Sequence, residues 1–315
     1  MGEFELIDRC FKALTPNRSD VVLGIGDDAA LLRPPAGCLL VTCVDTLVEG
    51  VHFPHDMTTE DIGYRAAAVN LSDLAAMGAT PRWALLALSL PASNEAWLTG
   101  FARGLGEALL PSGVALVGGD TTRGPLTISV QLMGSVPDDG HLLIRGGARP
   151  GDVLCVSGTP GDAAGGLARW GQDSPDSPLL QRFRRPTARL ALGQGLRVLA
   201  SACIDVSDGL LADAGHIAEA SGCRLQIDAS KLPVSAALQT ALGQRAALEA
   251  ALSGGDDYEL CFTVPPARLS EVEALAASVD CRVTPIGEVV TGAGVDLKHG
   301  DGLGHTGGTG GYRHF

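Results

Sequence analysis

Carboxylates set in tight turns are the residues of this chain best placed to do chemistry. Asp27 and Asp28 lie between Gly24-Ile25-Gly26 and Ala29-Ala30, directly after the apolar run Val21-Val22-Leu23. Similar acidic turns follow at Val44-Asp45-Thr46, Leu71-Ser72-Asp73-Leu74, Gly118-Gly119-Asp120-Thr121-Thr122, Asp205-Val206-Ser207-Asp208-Gly209 and Ser253-Gly254-Gly255-Asp256-Asp257. Any one of them is ordinary turn or cap chemistry. Together they carry a charge problem, since two unit charges ~4 Å apart repel by about 4 kcal/mol at an effective dielectric of 20. Carboxylates gathered in one cleft therefore call for hard cations, and Asp with Ser or Thr oxygens is the Mg2+ donor set. Mg2+ keeps several waters and takes one or two carboxylates plus substrate phosphates. The expectation is a multi-Mg2+ site that holds phosphates.

Other phosphate-handling designs do not fit. Gly24-x-Gly26-x-x-Ala29, with Asp45 downstream, satisfies a loose dinucleotide fingerprint. That fold needs a crossover of a dozen residues or more after the glycines. Here Pro34-Pro35 would stop a helix, and Cys38-Leu39-Leu40-Val41-Thr42 already reads as the next strand. No G-x-x-x-x-G-K-[ST] loop, protein-kinase signature, EF-hand loop, G-x-S-x-G or H-E-x-x-H occurs.

The elements that must position these turns follow from periodicity. A helix is expected over Phe4–Leu14, with strands at Val21–Ile25, Ala29–Leu32 and Cys38–Val44, joined by links short enough for antiparallel pairing. Thr58 and Asp61 make a capping box for a helix running to about Met77 and ended by Gly78. Asp73 lies near its C-terminal end, where the helix dipole disfavours a carboxylate unless a cation is bound. Strands are expected at Trp83–Leu90, Val114–Val117, Leu126–Gly134, Asp152–Val156, Cys223–Ile227, Glu259–Val264 and Arg282–Val290. Helices are expected at 94–110, Pro186–Ala200, Asp208–Ser221 and Ala267–Ser278, and an irregular tail from Gly300 to Gly311. The Gly/Pro-rich stretch Gly146–Asp152 divides the chain into domains 1–147 and 148–315. Intermixed strands and helices point to an α/β (α+β) class, two two-layer domains with mixed or antiparallel sheets.

With 315 residues, 45% of them hydrophobic, the chain can bury two cores. The net charge of −13 and the lack of a basic run argue against nucleic acid as a partner. Only Lys12, Lys231 and Lys298 of the 23 basic residues are lysine; the rest are Arg, which suits bidentate phosphate contacts. Eight cysteines are scattered without a C-x-x-C. No apolar run is long enough to span a membrane, and the acidic N-terminus has no signal-peptide core, so a cytoplasmic protein with no membrane partner is expected.

Taken in order, Gly24–Ala29, Asp45–Phe53, Ala68–Gly78, Gly118–Thr122, Asp205–Leu210 and Ser253–Leu260 resemble the motifs of the thiamine-monophosphate kinase family, within the aminoimidazole-ribonucleotide-synthetase-like superfamily. The resemblance implies an N-terminal ATP/Mg-binding domain that pairs across a homodimer and a C-terminal domain that closes a cleft. It implies direct in-line transfer from ATP to thiamine monophosphate, giving ADP and thiamine diphosphate, with several Mg2+ ions and room for K+ beside them. Carried over motif by motif, it places metal at Asp28, Asp45, Asp73, Asp120, Asp205 and Asp208, and at positions Cys43 and Val44. Asp28, Asp73, Asp120 and Asp205 are the catalytic candidates. Gly119, Asp120, Arg145 and Ser207 are the ATP contacts, and His52, Glu259 and Tyr312 the thiamine-phosphate contacts. Asp27 is a weaker candidate than its neighbour. Cys43-Val44 departs from the hydroxyl residues the family offers just before Asp45, so one metal position loses a side-chain oxygen. Two alternatives stay open: another ATP-using member of the superfamily, or a non-catalytic module binding divalent cations and nucleotide.

Overall fold

The structure is a computed structural model that describes residues 9–299 and 302–305. It falls into two compact units, one holding the described residues up to Leu74 plus Ala79–Gly140, the other Ala75–Gly78 and the described residues from His141 onward. Residues 4–8 of the helix expected over Phe4–Leu14 lie outside the described residues; within them Lys12–Leu14 form a 3-10 turn.

In the first unit, strands β1 (Val21–Leu23) and β2 (Leu31–Leu32) pair as a small antiparallel ribbon. Strand β3 (Cys38–Val48) leads to helix α1 (Thr59–Ala76), which is followed by β4 (Thr80–Leu90), α2 (Glu95–Leu109), β5 (Ala115–Arg123) and β6 (Thr127–Pro137). The four long strands form one sheet in the order β3-β6-β4-β5. All its neighbours are antiparallel except β4 and β5, whose parallel pairing α2 makes possible by carrying the chain back across the sheet. The Thr58 hydroxyl accepts the Asp61 amide at 3.2 Å, so the α1 cap is in place. Helices α1 and α2 touch backbone to backbone. A Cβ on Gly104 would lie 1.8 Å from the Glu60 carbonyl, and one on Gly63 2.1 Å from that of Phe101. Only glycine permits that approach.

The second unit holds β7 (Val153–Ser157), α3 (Asp162–Ala168), α4 (Pro178–Arg184), α5 (Leu190–Leu196), β8 (Ala202–Val206), α6 (Leu210–Ser221), β9 (Arg224–Asp228), α7 (Ala236–Leu242), α8 (Gln244–Ser253), β10 (Glu259–Val264), α9 (Leu269–Ser278), β11 (Val283–Val290), β12 (Gly294–His299) and β13 (Gly302–His305). Its seven-stranded sheet runs β13-β12-β9-β11-β7-β10-β8, antiparallel apart from β12 beside β9. Helices cover both faces of the strands. Leu210, Ala214 and Ile217 of α6 pack with Ile204, Val206, Leu225 and Ile227 on one side. Leu192 and Leu196 of α5 and Val272 of α9 pack with Cys203, Leu260 and Phe262 on the other. A second helical layer is what β8 and β10 require, since every residue in them is buried.

Three expectations are corrected here. The helix expected over Pro186–Ala200 is only α5, and α4 precedes it with Pro178 at its first position, where a missing N–H costs nothing. Helices α7 and α8 went unanticipated because their apolar residues are mostly alanine, a weak periodic signal. The tail expected to be irregular contains β13, whose register with β12 is set by backbone hydrogen bonds that glycine can make as well as any residue.

Candidate functional site

In the first unit, Asp45 and Asp73 are brought together around Cys43. Residues alternate along β3, so Cys43, Asp45 and Leu47 share the face that α1 covers, while Val44 is 62% exposed on the other. Asn70, fully buried in α1, fixes the pairing. Its side-chain oxygen accepts the Asp45 amide at 3.0 Å, and its NH2 donates to the Ala66 carbonyl at 3.1 Å. The Cys43 thiol lies 3.5 Å from the Asn70 carbonyl and also hydrogen-bonds Asp73. Burial, and then the charges of Asp73 and Asp45, push that thiol far up, so it stays neutral. Burial also raises the Asp45 carboxyl.

This donor set fits a hard cation at the two carboxylates. At Cys43 the side chain offers a buried thiol in place of an oxygen, and its surroundings favour the neutral form. Val44 turns an aliphatic side chain away from Asp45, so it could offer only its backbone oxygen. Among the described residues, no three or more His, Cys, Asp or Glu side chains close into a metal cage. An open pair of carboxylates is the arrangement a Mg2+ shared with phosphates would use.

Asp120 is placed differently. Strand β5 pairs Leu116 with Ala84 and Gly118 with Leu85, leaving Val117 as an extra residue. The bulge and Gly119, at φ +153°, carry Asp120 into the row of Ala87, Ser129 and Thr46, all at least partly exposed. The Thr46 and Ser129 hydroxyls bond each other at 2.7 Å in that row. Bulges beside functional residues re-aim side chains in this way. A Cβ on Gly119 would lie 1.9 Å from the Leu86 carbonyl. Gly119→Ala is therefore expected to destabilise by about 2–4 kcal/mol, by forcing strand separation on top of left-handed strain. Thermal unfolding checks this, and an unchanged Tm would show that the bulge can relax.

Asp27 and Asp28 are exposed in the turn after β1, where the Asp27 carboxylate accepts the Asp28 amide at 2.8 Å. His52 is half-buried beyond β3, and its Nδ1 accepts the Val48 amide at 3.0 Å.

In the second unit, Asp205 is buried near the end of β8, Ser207 is exposed, and Asp208 is half-buried just before α6. Asp213, in the first turns of α6, bends back toward them. Its Oδ2 accepts the amides of Ser207, Asp208 and Gly209, each at 3.1 Å. Burial, then the neighbouring charges of Asp205 and Asp208, push its carboxyl up to about 7, against the opposing effect of the amides. The same turn is held from the other side. The Ser207 carbonyl accepts the Asp256 amide at 2.7 Å and the Val206 carbonyl the Tyr258 amide at 2.8 Å. Asp256 and Tyr258 adopt left-handed φ values of 67° and 52°, a strain that non-glycine residues tolerate when their surroundings dictate it. Arg145 is exposed, and its carbonyl accepts the Ser221 hydroxyl at 3.3 Å.

Glu259 departs from its expected role. Its side chain has no exposed surface. Arg182 reaches it at 2.7 Å, Arg189 at 2.5 and 2.7 Å, and the Ser157 hydroxyl at 2.5 Å. A carboxylate so engaged anchors β10 to Arg182, Arg189 and Ser157. Beside it, buried Asp257 accepts the Gly161 amide at 2.8 Å, and burial raises its carboxyl well above the usual range. Tyr312 lies outside the described residues.

Sequence reasoning assigned no role to Asn70, Arg182, Arg189 or Asp213, and named Asp257 only as part of an acidic turn. Two signals were available. Asn70 interrupts the buried run Ala66–Leu71, and Arg182, Arg184, Arg185 and Arg189 crowd eight positions of a strongly acidic chain.

Comparison with known proteins places the whole chain. Family profiles described as AIR synthase related protein, N-terminal domain, and AIR synthase related protein, C-terminal domain, match residues 26–136 and 149–300. A thiamine-monophosphate kinase of Escherichia coli is 48% identical over 294 residues, covering 91% of this chain and 90% of its own length. The crystal structure of thiamine-monophosphate kinase from Stenotrophomonas maltophilia superposes with a TM-score of 0.88 at 49% identity, over 94% of this chain and 96% of that one. A structure described as "AaThiL complexed with AMPPCP and TMP" superposes with a TM-score of 0.78 at 35% identity, over 100% of this chain and 97% of that one.

Proposed function

The chain belongs to the thiamine-monophosphate kinase family of AIR synthase related proteins, and from that membership we propose that it transfers the γ-phosphoryl group of ATP to thiamine monophosphate, yielding ADP and thiamine diphosphate. The observation that carries this reading is a relative of matching fold along the whole chain that holds AMPPCP, an ATP analogue, together with TMP.

The reaction sets two polyanions side by side, so positioning and charge neutralisation supply most of the rate. Asp45 and Asp73 hold one Mg2+ position, with Asp28 and Asp120 adding carboxylates in the first unit and Asp205 and Asp208 in the second. Several Mg2+ ions, with K+ as a further candidate, would neutralise phosphate charge as the phosphoryl group moves. Gly119, Asp120, Arg145 and Ser207 contact ATP, and His52 and Tyr312 contact thiamine phosphate. Cys43 is left out of the ligand set, and Glu259 acts by holding its strand. The attacking phosphate oxygen is already ionised at neutral pH, so no strong general base is needed, in keeping with the absence of an activated Ser-His or Cys-His pair from the motifs.

The dimer and the location belong to the same reading. Leu40 and Val44, 54% and 62% exposed on β3, give the first sheet an apolar surface suited to a second copy. Among the described residues no helix is long and apolar enough to cross a membrane. The reading places the enzyme in the cytoplasm, with no nucleic-acid partner.

Incubating the protein with labelled Mg·ATP and thiamine monophosphate tests the assignment. Thiamine diphosphate is the expected product, and a protein that binds nucleotide without forming it would be the binding module instead. His52→Ala is expected to raise KM for thiamine monophosphate about tenfold, the worth of one charge-assisted hydrogen bond, and to leave KM for ATP within twofold. Equal rises in both would remove His52 from the acceptor pocket.

A further inference from the structure

Three consecutive amides pointing at one atom is the arrangement that elsewhere holds a phosphate. Successive N–H groups at the entry to a helix form a concave cradle for anions, reinforced by the helix dipole. In this chain the amides of Ser207, Asp208 and Gly209 form that cradle at the N-terminus of α6, a twelve-residue helix, with Gly209 at φ +122° completing the turn. The cradle is already filled. Asp213, 2% exposed, places Oδ2 at 3.1 Å from all three nitrogens. Helical side chains lean toward the N-terminus of their helix, which lets a residue in the first turn reach back to the residues that precede the helix.

We propose that Asp213 is a positioning residue whose carboxyl oxygen occupies the α6 amide cradle, so that the Ser207–Gly209 turn meets its nucleotide through carboxylates and bridging cations rather than through bare N–H groups. The inference rests on the reading of the chain as an ATP-using kinase. An open cradle would bind a free phosphate group directly and hold it in a metal-free, unproductive pose. An internal carboxyl group denies that pose, because it is tethered four to six residues from the amides and no ligand at ordinary concentration displaces it. It also fixes the turn from below. The bonds from Asp256 and Tyr258 to the Ser207 and Val206 carbonyls hold the same turn from above. Asp205, near the end of β8, and Asp208 then flank a turn pinned on both sides, and that restraint keeps their separation constant.

The test uses the full chain with Asp213→Ala and Asp213→Asn. Asp213→Ala opens the cradle. It is expected to raise KM for Mg·ATP about tenfold, to leave KM for thiamine monophosphate within twofold, and to make inorganic phosphate a competitor of ATP roughly tenfold stronger than against the wild type. Asp213→Asn keeps an oxygen acceptor but loses the charge, so its shifts should be smaller, about threefold, and it reads the same quantities if the alanine variant folds poorly. Equilibrium dialysis of inorganic phosphate against wild type and variants gives a readout that needs no turnover. Tighter phosphate binding by the variants supports the cradle assignment even if the wild type forms no thiamine diphosphate, in which case the kinase reading alone fails. Unchanged phosphate binding, or equal rises in KM for both substrates with only a lowered Tm, overturns it.

Discussion

Asp73→Asn is expected to lower kcat by roughly 10²–10³-fold at saturating Mg2+, the scale of losing one preorganised electrostatic contact to the transition state, while leaving Tm equal or higher. The two halves of this expectation have one origin. Asp73 sits one turn from the C-terminal end of α1, where the helix presents its negative pole, and it shares the Cys43 thiol with Asp45. In the absence of a cation, the charge on Asp73 works against the helix dipole, so the isosteric amide relieves that conflict in the empty protein. In the loaded protein the same amide removes a hard anionic ligand from the site that must balance two phosphate groups. Initial rates across a Mg2+ titration and a thermal melt in chelator separate the two effects. Near-normal kcat once Mg2+ is saturating would reject Asp73 as a ligand, and a fall of several degrees in Tm would make it a folding residue.

Glu259→Ala should behave in the opposite way, with a large cost in stability. Its carboxylate is the shared acceptor for Arg182, Arg189 and the Ser157 hydroxyl, at zero exposure. Removing it leaves two guanidinium groups, each only about a fifth exposed, facing one another without the carboxylate between them. Breaking a buried ion pair from one side costs about 3–5 kcal/mol, which for a unit of this size lowers Tm by roughly 10 °C. Glu259→Gln keeps the shape and one acceptor and should fall between. The network also ties β10 to α4 and to the loop after α4, so the damage should spread through the second unit. A circular-dichroism melt reads the result. An unchanged Tm with a selective rise in KM for thiamine monophosphate would return Glu259 to the substrate pocket.

Much of the site was legible because each acidic turn carries its own local logic. An Asp beside Gly, Ser or Thr marks the end of a strand or the start of a helix, and that is where Asp205 and Asp208 stand, whereas the turns expected at Asp45 and Asp120 are interior positions of β3 and β5. The capping box of α1 and the long apolar strands were equally readable, since caps and periodicity depend on residues within a few positions of one another. Glu259 was legible as part of a motif but not in its role. Nothing between Ser253 and Leu260 indicates that Arg182 and Arg189, some 70 positions earlier, will close over it.

The sequence by itself determined most element types, the mixed architecture and the family. Those properties are written in spacing, composition and order, which survive without coordinates. Only the tertiary structure decided which charges are spent inside the protein and which stay available. Asp213 and Asp257 are consumed by backbone amides, Glu259 by two arginines, and the Cys43 thiol is held neutral between Asp73 and Asp45. The physical reason is that a side chain's charge state and reach depend on desolvation and on partners distant in the chain. Long-range packing sets both, and no local pattern encodes them.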